Sequence, residues 1–301
     1  MAQGPFPLTP LEQLPLMIDH DAIEEAYLPF LLDGEAGQRA WKSDYARRRR
    51  RALKRMIARI FGARRSPPER SRVGIDDYQL GAGPQKPAAW KWNRRKLALD
   101  GAAAARIRAP LLAAVIDRLQ PARVLEVECG DGINLLSLAG HFPEVAFTGI
   151  DENAADIDAA KNIQSGDGLP TALAGYIPLE LTDPKAFQRI RFQPGRADFL
   201  PFKDGEFDLV FTILAADQLE RIRDQALAEI ARVANGHVLM LEPFRDANAK
   251  GVRRLYALSR NYFRGSIQGL SRFGLEPVWA TDDFPQEAFL GSPLVLARKV
   301  K

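Results

Sequence analysis

Between Val124 and Gly132 the chain reads Val-Leu-Glu-Val-Glu-Cys-Gly-Asp-Gly, and a second apolar run further on closes on Gly149-Ile150-Asp151. The order is an apolar run broken by Glu126, a small-residue turn, a helical pattern, another apolar run and another acid. An open α/β sheet places such turns at the carboxyl ends of its strands. There, backbone N–H groups at a helix N-terminus approach a ligand, and the acid ending the next strand accepts hydrogen bonds from ribose hydroxyls.

The stretch after Leu119 alternates in the way such a sheet requires. Strands are predicted at 123–127, 146–150, near 190–193, 207–212, 237–241, 275–280 and 294–299. Helices are predicted at 133–139, 154–164, 216–233 and 253–262, with Asn235-Gly236 as a turn. Residues 165–188 hold three prolines and three glycines and read as an irregular insertion. Alternation of this kind implies a parallel sheet with right-handed crossovers.

The N-terminal third is organised differently. Residues 1–20 are Pro-rich and read as irregular, 21–32 as a short helix, and 66–69 as a linker. Residues 44–61 read as a helix ended by Gly62, with Leu53, Met56, Ile57, Ile60 and Phe61 in one apolar stripe. Residues 73–93 read as an ordered loop carrying Trp90 and Trp92. Residues 97–119 read as helical, restarting near Pro110. The expected division is an extension at 1–105, with a basic helix and a Trp-containing lid or packing segment, followed by an α/β domain at 106–301.

Charge is unevenly placed. Residues 46–65 hold ten Lys or Arg and no acid, so removing them from the net charge of +4 leaves the rest of the chain at −6. The segment is therefore open to three readings: docking on an anionic membrane surface, RNA binding through phosphates, or a helix that packs its stripe inward and leaves its arginines in water. A single cysteine excludes an intramolecular disulfide and a cysteine-based zinc cluster. No apolar run has the length of a membrane span, and the first residues lack a secretory pattern, so a cytoplasmic protein is expected, at most peripheral to a membrane.

The motifs VLEVECGDG, GIDEN and ADFLPFKDGEFDLVF together resemble the first, second and fourth motifs of class I S-adenosylmethionine-dependent methyltransferases, and the resemblance extends from about Leu111 to the C-terminus. It implies a Rossmann-like three-layer sandwich with a seven-stranded, mostly parallel sheet of order 3-2-1-4-5-7-6. It also implies an enzyme that uses S-adenosyl-L-methionine. In that family Gly130 and Gly132 match small positions of the cofactor turn, Glu126 anchors the turn or reaches the cofactor's amino group, and Asp151 holds the ribose diol. Glu128, Cys129 and Glu152 flank these positions and count with them as cofactor-binding candidates. Glu128 departs from the pattern, because the family has glycine there. Asp198 and Phe199 lie where the family reads and stacks adenine. The usual acid position falls on Arg196, two residues before Asp198.

Cys129 reads as a small buried residue and not as a nucleophile. His20, His141 and His237 show neither triad nor metal spacing. After the fourth strand comes Thr212-Ile213-Leu214-Ala215-Ala216-Asp217-Gln218. It lacks the Asn/Asp-Pro-Pro-aromatic motif of methyltransferases acting on nucleobase or amide nitrogen. Asp217 is the position-based candidate for a general base. Trp90, Trp92, Glu242 and Arg245 are substrate-side candidates. The leading expectation is O- or N-methylation of a small-molecule, sugar or lipid-linked acceptor. The alternative is a catalytically degenerate relative that binds cofactor or a partner, and an RNA acceptor is a third reading. The acceptor cannot be read from the sequence.

Overall fold

A computed structural model of the chain describes residues 34–61, 88–92, 95–99, 101–170, 173, 177, 180–215, 219–260 and 262–300. The expectations for 1–20, 21–32, 66–69 and most of 73–93 lie outside these residues, as does the loop position of Asp217. The described elements begin with helix α1 (Gly34–Ile60), strands β1 (Ala88–Trp92) and β2 (Arg95–Leu99), and helix α2 (Gly101–Leu119). The α/β part continues with β3 (Arg123–Val127), α3 (Ile133–Ala139), β4 (Ala146–Asp151), α4 (Ala154–Gln164), β5 (Arg191–Pro194) and β6 (Phe207–Ile213). It closes with α5 (Arg223–Val233), β7 (Ala234–Leu241), α6 (Gly251–Arg260), β8 (Leu275–Thr281), β9 (Gln286–Glu287) and β10 (Leu294–Lys299).

The main sheet has seven strands in the order β5-β4-β3-β6-β7-β10-β8. Relabelled one to seven along this sheet alone, that order reads 3-2-1-4-5-7-6. The first five strands pair in parallel, whereas β10 runs antiparallel to both neighbours, β7 and β8. Successive side chains on a strand point to opposite faces, and the core divides accordingly. Val124, Phe147, Leu209 and Phe211 pack on one face with Leu112 and Ile116 of α2, Leu135 and Leu136 of α3, and Ile157 of α4. Leu125, Val127, Val210 and Met240 pack on the other with Ala226, Leu227 and Ile230 of α5. Both faces are covered, as a parallel sheet requires.

Several element boundaries differ from the expectation. Residues 97–99, read as the start of a helix, belong to β2, which pairs antiparallel with β1. Gln286 and Glu287 add β9 to the other edge of β1, giving a small three-stranded sheet. Pro110 lies inside α2 rather than at its start. α2 itself runs across position 105, so no element boundary marks the expected division there. The described part of the helix expected from 216 begins at Arg223. Asn235-Gly236 sits within β7 and not in a turn. A Cβ on Gly236 would meet the Asp208 carbonyl at 2.6 Å, so glycine is there for close approach to β6.

The apolar stripe of α1 also faces the other way. Trp41, Asp44 and Ala52 are buried, whereas Leu53, Ile57 and Phe61 are exposed. The Trp41 indole N–H donates to the Trp90 carbonyl at 2.9 Å, and the Ala89 N–H donates to Asp44 Oδ2 at 2.9 Å. Asp44 also accepts from Arg47 and Arg48, and Arg48 reaches on to Glu287 at 2.8 Å. A buried carboxylate with three donors is satisfied, so the inward face is set by Asp44 and Trp41.

Candidate active site

The turn after β3 requires left-handed backbone at alternate positions: φ is 60° at Glu128, 55° at Gly130 and 75° at Gly132. Glycine adopts this conformation freely, and a residue with a Cβ does so at a cost. Gly132 has a second reason to be glycine, since a Cβ there would meet the Phe192 ring at 2.6 Å. Gly130 has the opposite surroundings, because a Cβ there would meet nothing within 4 Å. Its backbone fronts open space at the carboxyl edge of the sheet.

Asp151 ties this turn to the neighbouring strand. Its Oδ2 accepts from the Gly130 N–H at 2.8 Å and its Oδ1 from the Asn153 N–H at 2.8 Å. Asn153 in turn caps α4 by accepting from the Ala155 N–H. Burial raises the Asp151 carboxyl above its ordinary range, against the lowering effect of both N–H bonds. Each oxygen of an ionised carboxylate has a second acceptor site, so two further donors can be taken.

Glu126, 1% exposed, accepts from the Asn134 side-chain amide at 2.6 Å through Oε1. Burial pushes its carboxyl well above the usual glutamate range. Its Oε2 has no hydrogen-bond partner among the described residues. Cys129 is buried, and a Cβ on Gly149 would meet its sulfur at 2.9 Å. Burial also raises the thiol pKa well above its ordinary value, so little reactive thiolate is present at neutral pH. It is a packing residue.

Asp198 and Arg196 form a bidentate ion pair at 2.9 and 2.6 Å, and those hydrogen bonds hold the Asp198 carboxyl below its ordinary range. Phe199, next along, is 76% exposed. The charge of Glu152 contributes to raising the Arg196 pKa, after the larger effects of Asp198. The Gly195 N–H donates to the Asp151 carbonyl at 2.9 Å, so the end of β4 and the turn after β5 front the same edge.

The substrate-side candidates separate. Trp90 and Trp92 belong to the main hydrophobic core, and the Trp92 indole donates to Asp283 at 3.1 Å. This is packing of the hairpin. Glu242 is fully buried and its Oε1 accepts from the Ala215 N–H at 3.0 Å, which pins the loop leaving β6. Arg245 is exposed after β7, with its backbone N–H on the Gly265 carbonyl at 2.9 Å. The His141 Nδ1 lies 2.9 Å from the Glu180 carbonyl oxygen. His237 is half-buried, and burial lowers its pKa.

Two residues of this edge escaped the sequence reading. Asn134 orients Glu126 from the first turn of α3, a partnership that spacing alone does not announce. Leu214 follows β6 with φ of 54° and is exposed. A leucine in the left-handed region is strained, and no local residue pattern signals it.

Residues 125–240 match the family model described as a methyltransferase domain. The fold is also similar to solved structures of low identity. One is a SAM-dependent methyltransferase from Methanosarcina mazei: 17% identity over 59% of this chain and 92% of that one, TM-score 0.43. Another is magnesium protoporphyrin IX methyltransferase from Synechocystis PCC 6803 with bound SAM: 13% identity, 66% and 81% covered, TM-score 0.45. A third is the [4+2]-cyclase SpnF: 18% identity, 71% and 86% covered, TM-score 0.47. The family match spans the turn after β3, Asp151 and the strands through β7, the same stretch that carries the motif resemblance.

Proposed function

We propose that this class I methyltransferase domain transfers a methyl group from S-adenosyl-L-methionine to a small-molecule, sugar or lipid-linked acceptor. The observation that carries the reading is Asp151. It closes β4 and bonds the backbone N–H of Gly130, and both of its oxygens keep acceptor capacity.

The residues present fit an adenosyl cofactor. Gly130 fronts open space, Phe199 offers an exposed flat ring for adenine, and Glu126 Oε2 is a buried acceptor without a donor. Asp151 would take the ribose diol. Glu126 would serve the cofactor's ammonium, directly or through water, with Asn134 fixing its orientation. Bound there, the cofactor supplies an electrophilic methyl group with a neutral thioether as leaving group. The protein's own work is alignment and exclusion of water. Glu242 acts as a positioning residue by holding Ala215, and so the start of the loop that leads to Asp217. Asp217 is the candidate base for a hydroxyl acceptor, and Arg245 is the candidate that meets an anionic part of the substrate.

A second reading has a specific observation behind it. Glu128 stands where the family has glycine, and Arg196 neutralises the nearest acid to the adenine position. A protein that binds the cofactor and transfers nothing would tolerate both. Isothermal titration with S-adenosylmethionine and S-adenosylhomocysteine tests the first step. Binding is expected for the wild type and should weaken more than about tenfold in Asp151→Asn, since hydrogen bonds to a charged group contribute about 1.5–3 kcal/mol each. Failure to bind either ligand at millimolar concentration overturns the proposal. Binding with no methylated product across sugar, lipid-linked and small-molecule acceptors favours the second reading.

A further inference from the structure

Helix α1 has two unlike faces. The inner one, around Trp41, Asp44 and Ala52, is taken up by β1 and the third hydrophobic cluster. The outer one carries Leu53 at 52%, Ile57 at 45% and Phe61 at 84% exposure. At about 100° per residue these three side chains fall within about 80° of one another, roughly opposite Trp41 and Ala52. Arg50 projects within the same sector, and Arg49 and Lys54 flank it; all three are exposed. No carboxylate among the described residues pairs with Arg49, Arg50, Arg51 or Lys54. The segment 46–61 itself contains no acid.

An exposed apolar row edged by unpaired cations on a helix anchored from its other side is the arrangement of an interfacial helix. We propose that the outer face of α1 docks on an anionic lipid bilayer. The helix lies in the plane of the surface, Leu53, Ile57 and Phe61 enter the headgroup–acyl boundary, and Arg49, Arg50 and Lys54 meet lipid phosphates. Charge complementarity favours an anionic partner, and the aliphatic side chains favour a bilayer over RNA. Leu53 and Ile57 have neither a flat face for a base nor a donor for a phosphate, and both gain by leaving water for lipid. The partly buried Asp44–Arg48–Glu287 connection fixes the helix to the fold, so docking would hold the whole body at the membrane. The proposal does not depend on the methyl-transfer reading.

Co-sedimentation of the full chain with vesicles of phosphatidylcholine alone, and with about a third phosphatidylglycerol, tests it, since each basic residue near an anionic surface adds to binding. Two triple variants accompany the wild type: Leu53→Ser/Ile57→Ser/Phe61→Ser, and Arg49→Ala/Arg50→Ala/Lys54→Ala. All six positions are exposed, and unchanged thermal melts verify that both variants fold. The expected result is binding more than about tenfold stronger to the anionic vesicles, lost in either triple variant and weakened by salt. Equal binding to both vesicles overturns the proposal. So does binding that survives removal of the apolar row. So does no vesicle binding, with or without retention of a single-stranded RNA oligomer by the wild type.

Discussion

Replacing Glu128 by glycine should stabilise the domain, although it removes a side chain from the edge of the candidate site. The reason is backbone conformation. Glu128 is held at φ of 60° in the same turn that puts Gly130 at 55° and Gly132 at 75°. A left-handed residue with a Cβ carries about 1–2 kcal/mol of strain. Glycine relieves this and returns about 0.4–1 kcal/mol through the greater freedom of the unfolded chain. The net gain is about 0.5–1 kcal/mol, which for a chain of this size raises the melting temperature by about 1–2 °C. Gly130→Ala calibrates the argument, because its Cβ would stand in open space. It should lower stability by about the same amount, with strain as the only cause. Thermal and urea unfolding of the two variants beside the wild type are the assays. A Glu128→Gly protein that is less stable than wild type, while Gly130→Ala behaves as stated, would refute the reasoning. It would mean that contacts of the Glu128 side chain outweigh the strain of its backbone.

Two further outcomes are expected. Glu126 has a folded-state pKa raised by burial above the unfolded value of about 4.3. Its contribution to stability is therefore fully present below that value and is lost as pH rises through the folded pKa. Glu126→Gln cannot ionise and keeps an acceptor for Asn134, so its melting temperature relative to wild type should improve between pH 5 and pH 8; a constant or shrinking difference counts against the buried, raised carboxyl. Asp44→Ala should cost about 1–3 kcal/mol locally, because it leaves the buried Ala89 N–H without its acceptor while Arg48 keeps Glu287. Hydrogen exchange should rise in 34–60 and 88–92 and stay unchanged in 207–241, and uniform loss of protection would contradict a local role.

The strand-turn-strand unit at 123–151 was legible because its signals are local: an apolar run, glycines spaced for a left-handed turn and an acid at a strand end. The hairpin at 88–99 was not. Trp90 and Trp92 alternate with the exposed Lys91 as a half-buried strand should, but the run is short, follows Pro87 and leads into an alanine-rich stretch that continues as α2. The orientation of α1 was hidden for a different reason. Hydrophobic periodicity locates a stripe and says nothing of what lies against it. The inward face is chosen by Asp44, whose decisive partner, the Ala89 N–H, is 45 residues away. At the site, Asp151 could be named from its position. That Arg196 takes the neighbouring Asp198 depends on the conformation of one turn.

The indoles of the hairpin sit in the same hydrophobic mass as α2 and the central strands, and β9, from the far end of the chain, closes the hairpin's outer edge. The hairpin and the segment around β9 are thereby stitched to the sheet. Trimming the chain back to position 106 would not yield a smaller intact domain with a missing accessory. It would uncover a wall of the core and leave β9 without its partner strand.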